Sequence, residues 1–467
     1  MKKLLTQNPI LMSDGYKYSH YVQLPPNTER SYAYIESRGG IFDETVFFGL
    51  QMFIKRYMTT PITMEDIDQA EPIIKAYGMT LNREGFERIV NEYGGMWPVT
   101  IRAVPEGKRM PTSMPLVTIE SELKNAWVTA FIETQILRAV WYGTTVASNS
   151  YESKKIIKGF LEETGTPEAL PYMLWDFGAR GVSSQESAEI GGAAHLVNFS
   201  GSDTMAGILA AMDYYDAKVL PSGGVPAMEH STVTSWGRDG EADAYKNMLD
   251  HFAKPGAIVS IVSDSYDLFN AIKIFGTDLK DQIIASGATL VVRPDSGNPA
   301  DIVLQAVQEL EKYFGSTVNS KGYKVLNTVR VLQGDGITHE SIRAILSNLK
   351  FNQYSADCIG TFGQGGKLLQ GVDRDTMKFA QKTSAVLVNG EWREVFKDPI
   401  TDSGKRSKKG RVTTALRGSK YIATTREELS RIQSDVDGYT EVLETVYENG
   451  KLVKEWTFDE VRAEASK

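Results

Sequence analysis

Leu290-Val291-Val292-Arg293-Pro294-Asp295-Ser296-Gly297-Asn298-Pro299 runs from a short apolar strand straight into a charged glycine turn and then into a helix. A strand that stops at an Arg–Asp pair points polar groups at something other than the core. The helix expected over 300–314 has apolar Ile302, Val303, Ala306, Val307 and Leu310 at helical spacing, and its first turn is expected to leave backbone N–H groups free for an anion. Arg293 and Asp295 then either face a ligand or pin a loop, and this turn alone does not separate the two readings.

Repetition of the plan favours the ligand. Tyr172–Trp175 ends at Asp176-Phe177-Gly178-Ala179-Arg180, and Ala257–Val262, which includes Ser260, ends at Ser263-Asp264-Ser265. Val329–Leu332 ends at Gln333-Gly334-Asp335-Gly336, and Cys358–Phe362 ends at Gly363-Gln364-Gly365-Gly366. Helical stretches follow most of them, including 265–274 and 338–349. Strand-then-helix units repeated this often predict an α/β fold with a parallel sheet, closed as a barrel or left open. Ligands of both arrangements sit at the carboxyl ends of the strands, so every polar cluster just named belongs on one rim.

The 467 residues exceed one ordinary core, and 42% hydrophobic with 24% charged residues is the balance of a soluble globular protein. A formal net charge of -8 argues against nonspecific nucleic-acid binding. Cys358 is the single cysteine, which excludes an intrachain disulfide and a cysteine metal cluster and fits a reducing compartment. The first residues, Met1 to Pro9, lack an apolar core long enough for a signal peptide, and no apolar run elsewhere is long enough to cross a bilayer, so a cytoplasmic protein without membrane contact is expected.

Three regions are expected. Residues 1–150 read as a mixed α/β lobe with strands near Ser31–Ile35 and Val99–Val104 and helices near Leu50–Tyr57 and Ala126–Val140. Residues 151–372 hold the barrel-like units. Residues 373–467 are β-rich, with hairpins at Ser384–Val388/Asn389-Gly390 and at Val442–Tyr447/Asn449-Gly450/Leu452–Phe458, and are expected to pack with the N-terminal lobe.

His230 follows the glycine-rich approach Gly223-Gly224-Val225-Pro226-Ala227-Met228-Glu229 and precedes a helical stretch. A histidine beside a carboxylate serves as a base, a phosphate acceptor or a bonded core residue, and the neighbouring rim clusters favour a site role. His20, His195, His251 and His339 have no metal-ligand spacing with it. Asp203 opens a helix, and locally a cap is its better reading. Phe177 is a core residue unless it stands at the strand's end. Lys405–Arg411 is a dense basic run, by default a solvated loop, with attraction of a polyphosphate as the functional alternative. No Walker-type loop, dinucleotide fingerprint or Gly-x-Ser-x-Gly elbow appears in the context it requires.

Ser13-Asp14-Gly15-Tyr16-Lys17, Asp176–Glu186, Val225–Ser231, Ser263–Asp267, Arg293–Pro299 and Gln333–Gly336, in this order, resemble the nicotinamide phosphoribosyltransferase family. The match runs from about Leu11 to near the C-terminus. The resemblance implies an irregular barrel of the type II phosphoribosyltransferase kind and a homodimer with shared sites. It also implies formation of nicotinamide mononucleotide and pyrophosphate from nicotinamide and phosphoribosyl pyrophosphate, for NAD salvage. It implies that Phe177 and the partner's Tyr16 sandwich the pyridine ring, that Arg293 donates to the amide oxygen, and that Asp203 accepts from the amide N–H and repels nicotinate. Asp295, Gly334, Asp335, Gly365 and Gly366 correspond to positions holding the ribose hydroxyls and 5′-phosphate. Arg180 and Ser260 fall among the phosphoribosyl and ATP positions, and Arg38, Arg374, Lys382 and Lys397 among cations reaching the pyrophosphate from the partner subunit. Asp264 corresponds to a position near Mg²⁺ through water, and His230 to a phosphohistidine that couples ATP hydrolysis, its ring oriented by Glu229 or Asp264.

Trp175, Ala179 and Gly224 depart from vertebrate members, which carry histidine, tyrosine and serine there, and the loop 39–45 is short. Two alternatives remain: nicotinate phosphoribosyltransferase, which Asp203 opposes, and a non-catalytic binding protein on the same scaffold. The intact Arg293, Asp295, His230 and Asp203 oppose the latter, because buried charges without a ligand are costly.

Overall fold

The structure, a computed structural model, describes residues 4–401, 406–433 and 438–467. It divides into two compact units, Met1–Ser148 with Ala211–Ala217 and Asp373–Lys467, and Asn149–Ala210 with Lys218–Val372.

The second unit is built on six parallel strands: β1 (Leu174–Asp176), β2 (Gly201–Ser202), β3 (Ile258–Val262), β4 (Thr289–Arg293), β5 (Val329–Gln333) and β6 (Ile359–Gln364). They lie side by side in the order β2-β1-β6-β5-β4-β3. Their apolar character follows from parallel pairing, which needs helical crossovers and so covers the strands with helices. The crossover Pro299–Phe314 buries Val303, Ala306, Val307, Leu310 and Phe314, one helical stripe. That stripe joins Leu174, Val292, Val331 and Phe362 in the main core. The alternate strand residues Trp175, Val291 and Leu332 are buried on the other face.

The two free edges of this sheet are bridged. Gly223 pairs with Gly201 of β2 and Ala227 with Ser260 of β3, both parallel. The Ser260 N–H donates to Pro226 O and the Met228 N–H to Ser260 O, each at 3.0 Å. Segment 223–228, the glycine-rich approach to His230, is therefore a closing piece of an irregular α/β barrel that delivers His230 to the rim.

The first unit carries a seven-stranded sheet in which Thr28–Ser37 pairs antiparallel with both Val117–Ser121 and Phe379–Val388, setting Tyr34 opposite Lys382. Asn389 and Gly390, at φ 52° and 77°, turn Phe379–Val388 into Glu391–Glu394, as an Asn-Gly hairpin requires. The last hairpin is shorter than expected: Lys451–Leu452 is its second strand, and a helix capped by Thr457 occupies Phe458–Ala465. The helix expected near Ala126–Val140 is two, Val128–Phe131 and the long Glu133–Thr164. That near Leu50–Tyr57 is α-helical only over Leu50–Phe53 and widens into a π turn at Ile54–Met58. Among the described residues no helix is long and apolar enough to cross a membrane.

Candidate active site

All six strands end on one rim, and the side chains there are poorly satisfied. At the end of β4, Arg293 makes a 3.4 Å contact to Asp295 Oδ1 while its Nε is buried without a hydrogen-bond partner among the described residues. Asp264, just past β3, accepts the Asp295 N–H at 2.8 Å and the Ser296 hydroxyl at 2.6 Å on Oδ2, but its buried Oδ1 accepts no hydrogen bond among the described residues. Asp176 Oδ2, Gln333 Oε1 and Gln364 Oε1, at the ends of β1, β5 and β6, are likewise buried without hydrogen-bond partners among the described residues. A buried polar atom left unpaired costs roughly 1–3 kcal/mol, so several on one rim mark a place where water or a ligand completes them.

His230 is the first residue of a short helix, His230–Thr234. Its Nδ1 lies 3.0 Å from Ser265 Oγ, and its Nε2 faces Asp295 Oδ2 at 3.4 Å and Asp264 Oδ1 at 3.8 Å. Glu229 does not orient the ring: its carboxylate accepts the Ser231 hydroxyl, and its N–H donates to the Thr232 hydroxyl at 3.3 Å at the helix start. The acceptor-only carboxylates favour a proton on Nε2, which leaves Nδ1 as the lone pair that accepts from Ser265.

Phe177 stands one residue past β1, half-buried, with its N–H donated to Gln364 O of β6 at 2.9 Å. It is a rim residue. Asp203 follows β2 and donates its N–H to Asp176 O at 2.9 Å. The adjoining helix starts at Met205, and the Thr204 N–H goes to the Ser202 hydroxyl, so the local cap reading fails and the Asp203 carboxylate is left beside Arg293. Asp203 is exposed, so it is not the buried charge the sequence suggested; partial desolvation still raises its carboxyl above the ordinary range, with the Arg293 guanidinium opposing that shift. Asp176, fully buried, is pushed up to about 6 by burial, against the Gly178 N–H that its Oδ1 accepts at 2.7 Å.

Ala179–Gly181, the turn bearing exposed Arg180, packs on the glycine pair after β6: a Cβ built on Gly181 falls 2.9 Å from Gly366 Cα. Gly365 has open space where a side chain would go. Asp335 is exposed beside Gly336, at φ 66°, and the Gln333 amide donates to Asp335 O at 2.9 Å. Ser260 is buried, its backbone used by the closing segment.

The anion site expected at the start of helix Pro299–Phe314 is not free. Asn298 Oδ1 accepts the Ala300 and Asp301 N–H groups at 3.1 and 3.4 Å, a side-chain cap in front of a proline at the first helical position.

In the first unit, Tyr16 is exposed, and Lys17 beneath it is buried in a 2.7 Å pair with Glu133. Lys382 is held below the ordinary lysine range by burial and by Arg38, Lys397 and Arg374, with Glu133 opposing. Four cations thus crowd one another, a setting that gains from an anion. The basic run is different. Arg406, Lys408, Lys409 and Arg411 are paired with Asp398, Glu36, Glu394 and Glu427. They form no open positive patch; Lys405 lies outside the described residues.

Sequence reading placed Asp176, Gln333 and Gln364 in the rim clusters but gave them no role, and it missed Ser265 as the His230 partner. The signal was present: each polar residue ends an otherwise apolar strand. Among the described residues, no three of His, Cys, Asp and Glu converge as a metal cage. The open, buried Oδ1 of Asp264 suits a hydrated divalent cation, which keeps part of its water shell.

Residues 172–451 match the nicotinate phosphoribosyltransferase (NAPRTase) family, and residues 8–101 match the N-terminal domain of nicotinamide phosphoribosyltransferase. A relative in Xanthomonas campestris pv. campestris (strain 8004), named nicotinamide phosphoribosyltransferase, is 52% identical over 98% of both chains. One of the same name in Acinetobacter baylyi is 32% identical over 97% of this chain and 96% of its own. The fold is that of a solved nicotinate-nucleotide pyrophosphorylase from Pyrococcus furiosus, with TM-score 0.62, 16% identity, and coverage of 100% and 96% of the two chains.

Proposed function

The chain belongs to the nicotinate phosphoribosyltransferase family, and from that premise and the rim geometry we propose a residue-level account of its activity as a nicotinamide phosphoribosyltransferase. It transfers the phosphoribosyl group of phosphoribosyl pyrophosphate to the pyridine nitrogen of nicotinamide, giving nicotinamide mononucleotide and pyrophosphate in NAD salvage.

The observation that carries the account is the buried Arg293 Nε, without a hydrogen-bond partner among the described residues, next to the Asp203 carboxylate and the open Phe177 ring. A carboxamide completes this set, because its oxygen accepts from Arg293 and its N–H donates to Asp203. Nicotinate would bring a second anion against Asp203. Phe177 offers one face to the ring, and the exposed Tyr16 of a second copy is suited to the other.

The attacking pyridine nitrogen is neutral and carries no proton, so no general base is needed. The chain's work is to hold the ring and the anomeric carbon in line and to stabilise departing pyrophosphate. Asp295 and Asp335 suit the ribose hydroxyls, and Gly334, Gly365 and Gly366 admit a phosphate close to the backbone. Arg180 is suited to the phosphoribosyl group and Ser260 to the same subsite or ATP. Arg38, Arg374, Lys382 and Lys397 form the cationic cluster for pyrophosphate, supplied across a homodimer. Met205, Leu209 and Met212, exposed on one helix face, with exposed Val219 and Leu220, support such an interface. Mg²⁺, held through water at Asp264, would neutralise charge on the leaving group. ATP coupling through phosphorylated His230 is supported by the Ser265 contact and the two carboxylates at Nε2. A cytoplasmic setting is supported by the single, buried Cys358.

The test follows nicotinamide mononucleotide and pyrophosphate release for the parent and for Asp295→Ala. Loss of both products in a folded variant ties the activity to this rim, whereas an unchanged rate places it elsewhere.

A further inference from the structure

Phe177 lies on a strand position that has no side chain. An ideal Cβ at Gly363 would stand 2.0 Å from Phe177 Cε2, 2.4 Å from Cδ2 and 2.9 Å from Cζ. One at Gly334 would stand 3.6 Å from Cε2 and 3.6 Å from Asp295 Oδ1. The Cδ2–Cε2 edge of the ring therefore sits over Gly363 of β6, with Cε2 also near Gly334 past β5 and the ribose-side acid.

The same device occurs in mirror fashion two residues earlier. Trp175 lies on the same face of β1 as Phe177, and its register partners are Gly363 on β6 and Gly201 on β2. Its indole covers Gly201, where a Cβ would fall 2.2 Å from Nε1. Two aromatic side chains of one strand thus lean in opposite directions, each onto a glycine of the neighbouring strand. The Gly363 backbone is outside the left-handed region, so it does not itself require glycine. The ring above it does.

We propose that Gly363 is a positioning residue for the nicotinamide ring: its missing side chain lets Phe177 lie at strand level and so sets the height of the ring slot beside Arg293 and Asp203. The proposal rests on the reading of Phe177 as the ring platform. Gly365 and Gly366, two and three residues on, meet the phosphate side, so Gly363 divides the roles of one glycine-rich strand end. A Cβ at 363 lifts or swings the half-buried ring, and stacking falls off steeply with such a displacement.

The test is a double-mutant cycle between Gly363→Ala and Phe177→Ala, read as KM for nicotinamide, KM for phosphoribosyl pyrophosphate and kcat, with circular dichroism for fold. Gly363→Ala should raise the nicotinamide KM about tenfold with the other KM within about twofold, and should add less than about twofold in the Phe177→Ala background. Equal losses in both backgrounds, or none in the parent, overturn the proposal. An unchanged nicotinamide KM in Phe177→Ala alone overturns the platform reading instead. Should Gly363→Ala fail to fold, the double variant is expected to fold and to match Phe177→Ala; an unfolded double variant overturns the proposal, because the ring is then not what requires glycine.

Discussion

Two charged loops of this molecule follow opposite rules. In the antiparallel unit, Arg406 takes both oxygens of Asp398 at 2.9 and 3.1 Å, and Lys409 and Arg411 each hold a glutamate at 2.7 Å. On the barrel rim, Arg293 makes a long 3.4 Å contact to Asp295, and among the described residues its buried Nε and several neighbouring oxygens have no hydrogen-bond partner. The basic loop has the higher charge density. The rim has the unmet demand. Exposed, mutually neutralised pairs contribute little and attract little, whereas buried unsatisfied groups are retained at a cost that a ligand removes.

The largest break in this contrast is Arg293→Met, which should lower kcat/KM for nicotinamide about 10³-fold in steady-state assays, since it removes a charge-assisted donor from a desolvated site. A loss of only a few-fold would mean that the unpaired Nε serves water alone. Asp176 tests the rim through stability. Its carboxyl moves from 3.8 up to about 6 on folding, so the folded state holds the proton more tightly. That contribution is complete below the unfolded value and is lost as pH rises through about 6, leaving a buried anion as a net cost. Asp176→Asn should therefore be more stable than the parent at pH 8 by roughly 2–3 kcal/mol and equal to it near pH 4, by denaturant titration. A variant equally or less stable at pH 8 would show the acid to be well paired.

Asp203→Asn sharpens the contrast at the level of specificity. Removing the repelling charge should raise the nicotinate-to-nicotinamide ratio of kcat/KM by about tenfold, measured by direct competition, and an unchanged ratio would remove Asp203 from the selection. The smallest effect belongs to the basic loop: Lys409→Ala should change turnover by less than about twofold. A large loss there would show that the paired cations open to a ligand.

What was legible in the sequence follows from the same physics. Apolar runs ending in Asp, Arg, Gln or Gly are the mark of strands covered on both faces with polar ends on a rim, and β3, β4, β5 and β6 were readable on that basis. β2 was not, because two residues, Gly201 and Ser202, carry no periodicity. The closing segment 223–228 was not, because glycine and proline conceal a run that is defined only by its two neighbouring strands. Residues 211–217 join the first unit through Tyr215, whose hydroxyl donates to buried Glu106 at 2.6 Å, a contact with no local signal. Ser265 reaches His230 only because β3 and the closing segment are adjacent. The Asn298 cap was legible: Asn before Pro at a helix start satisfies its own N–H groups, and that pattern should have outweighed the anion reading.

The most direct measurement gives purified protein phosphoribosyl pyrophosphate and Mg²⁺ with either nicotinamide or nicotinate, with and without ATP, and identifies the nucleotide by mass spectrometry. The account predicts nicotinamide mononucleotide from the amide, no nucleotide from the acid, and a higher yield with ATP that is lost in His230→Ala. Nucleotide from nicotinate alone, or from neither base, would contradict it.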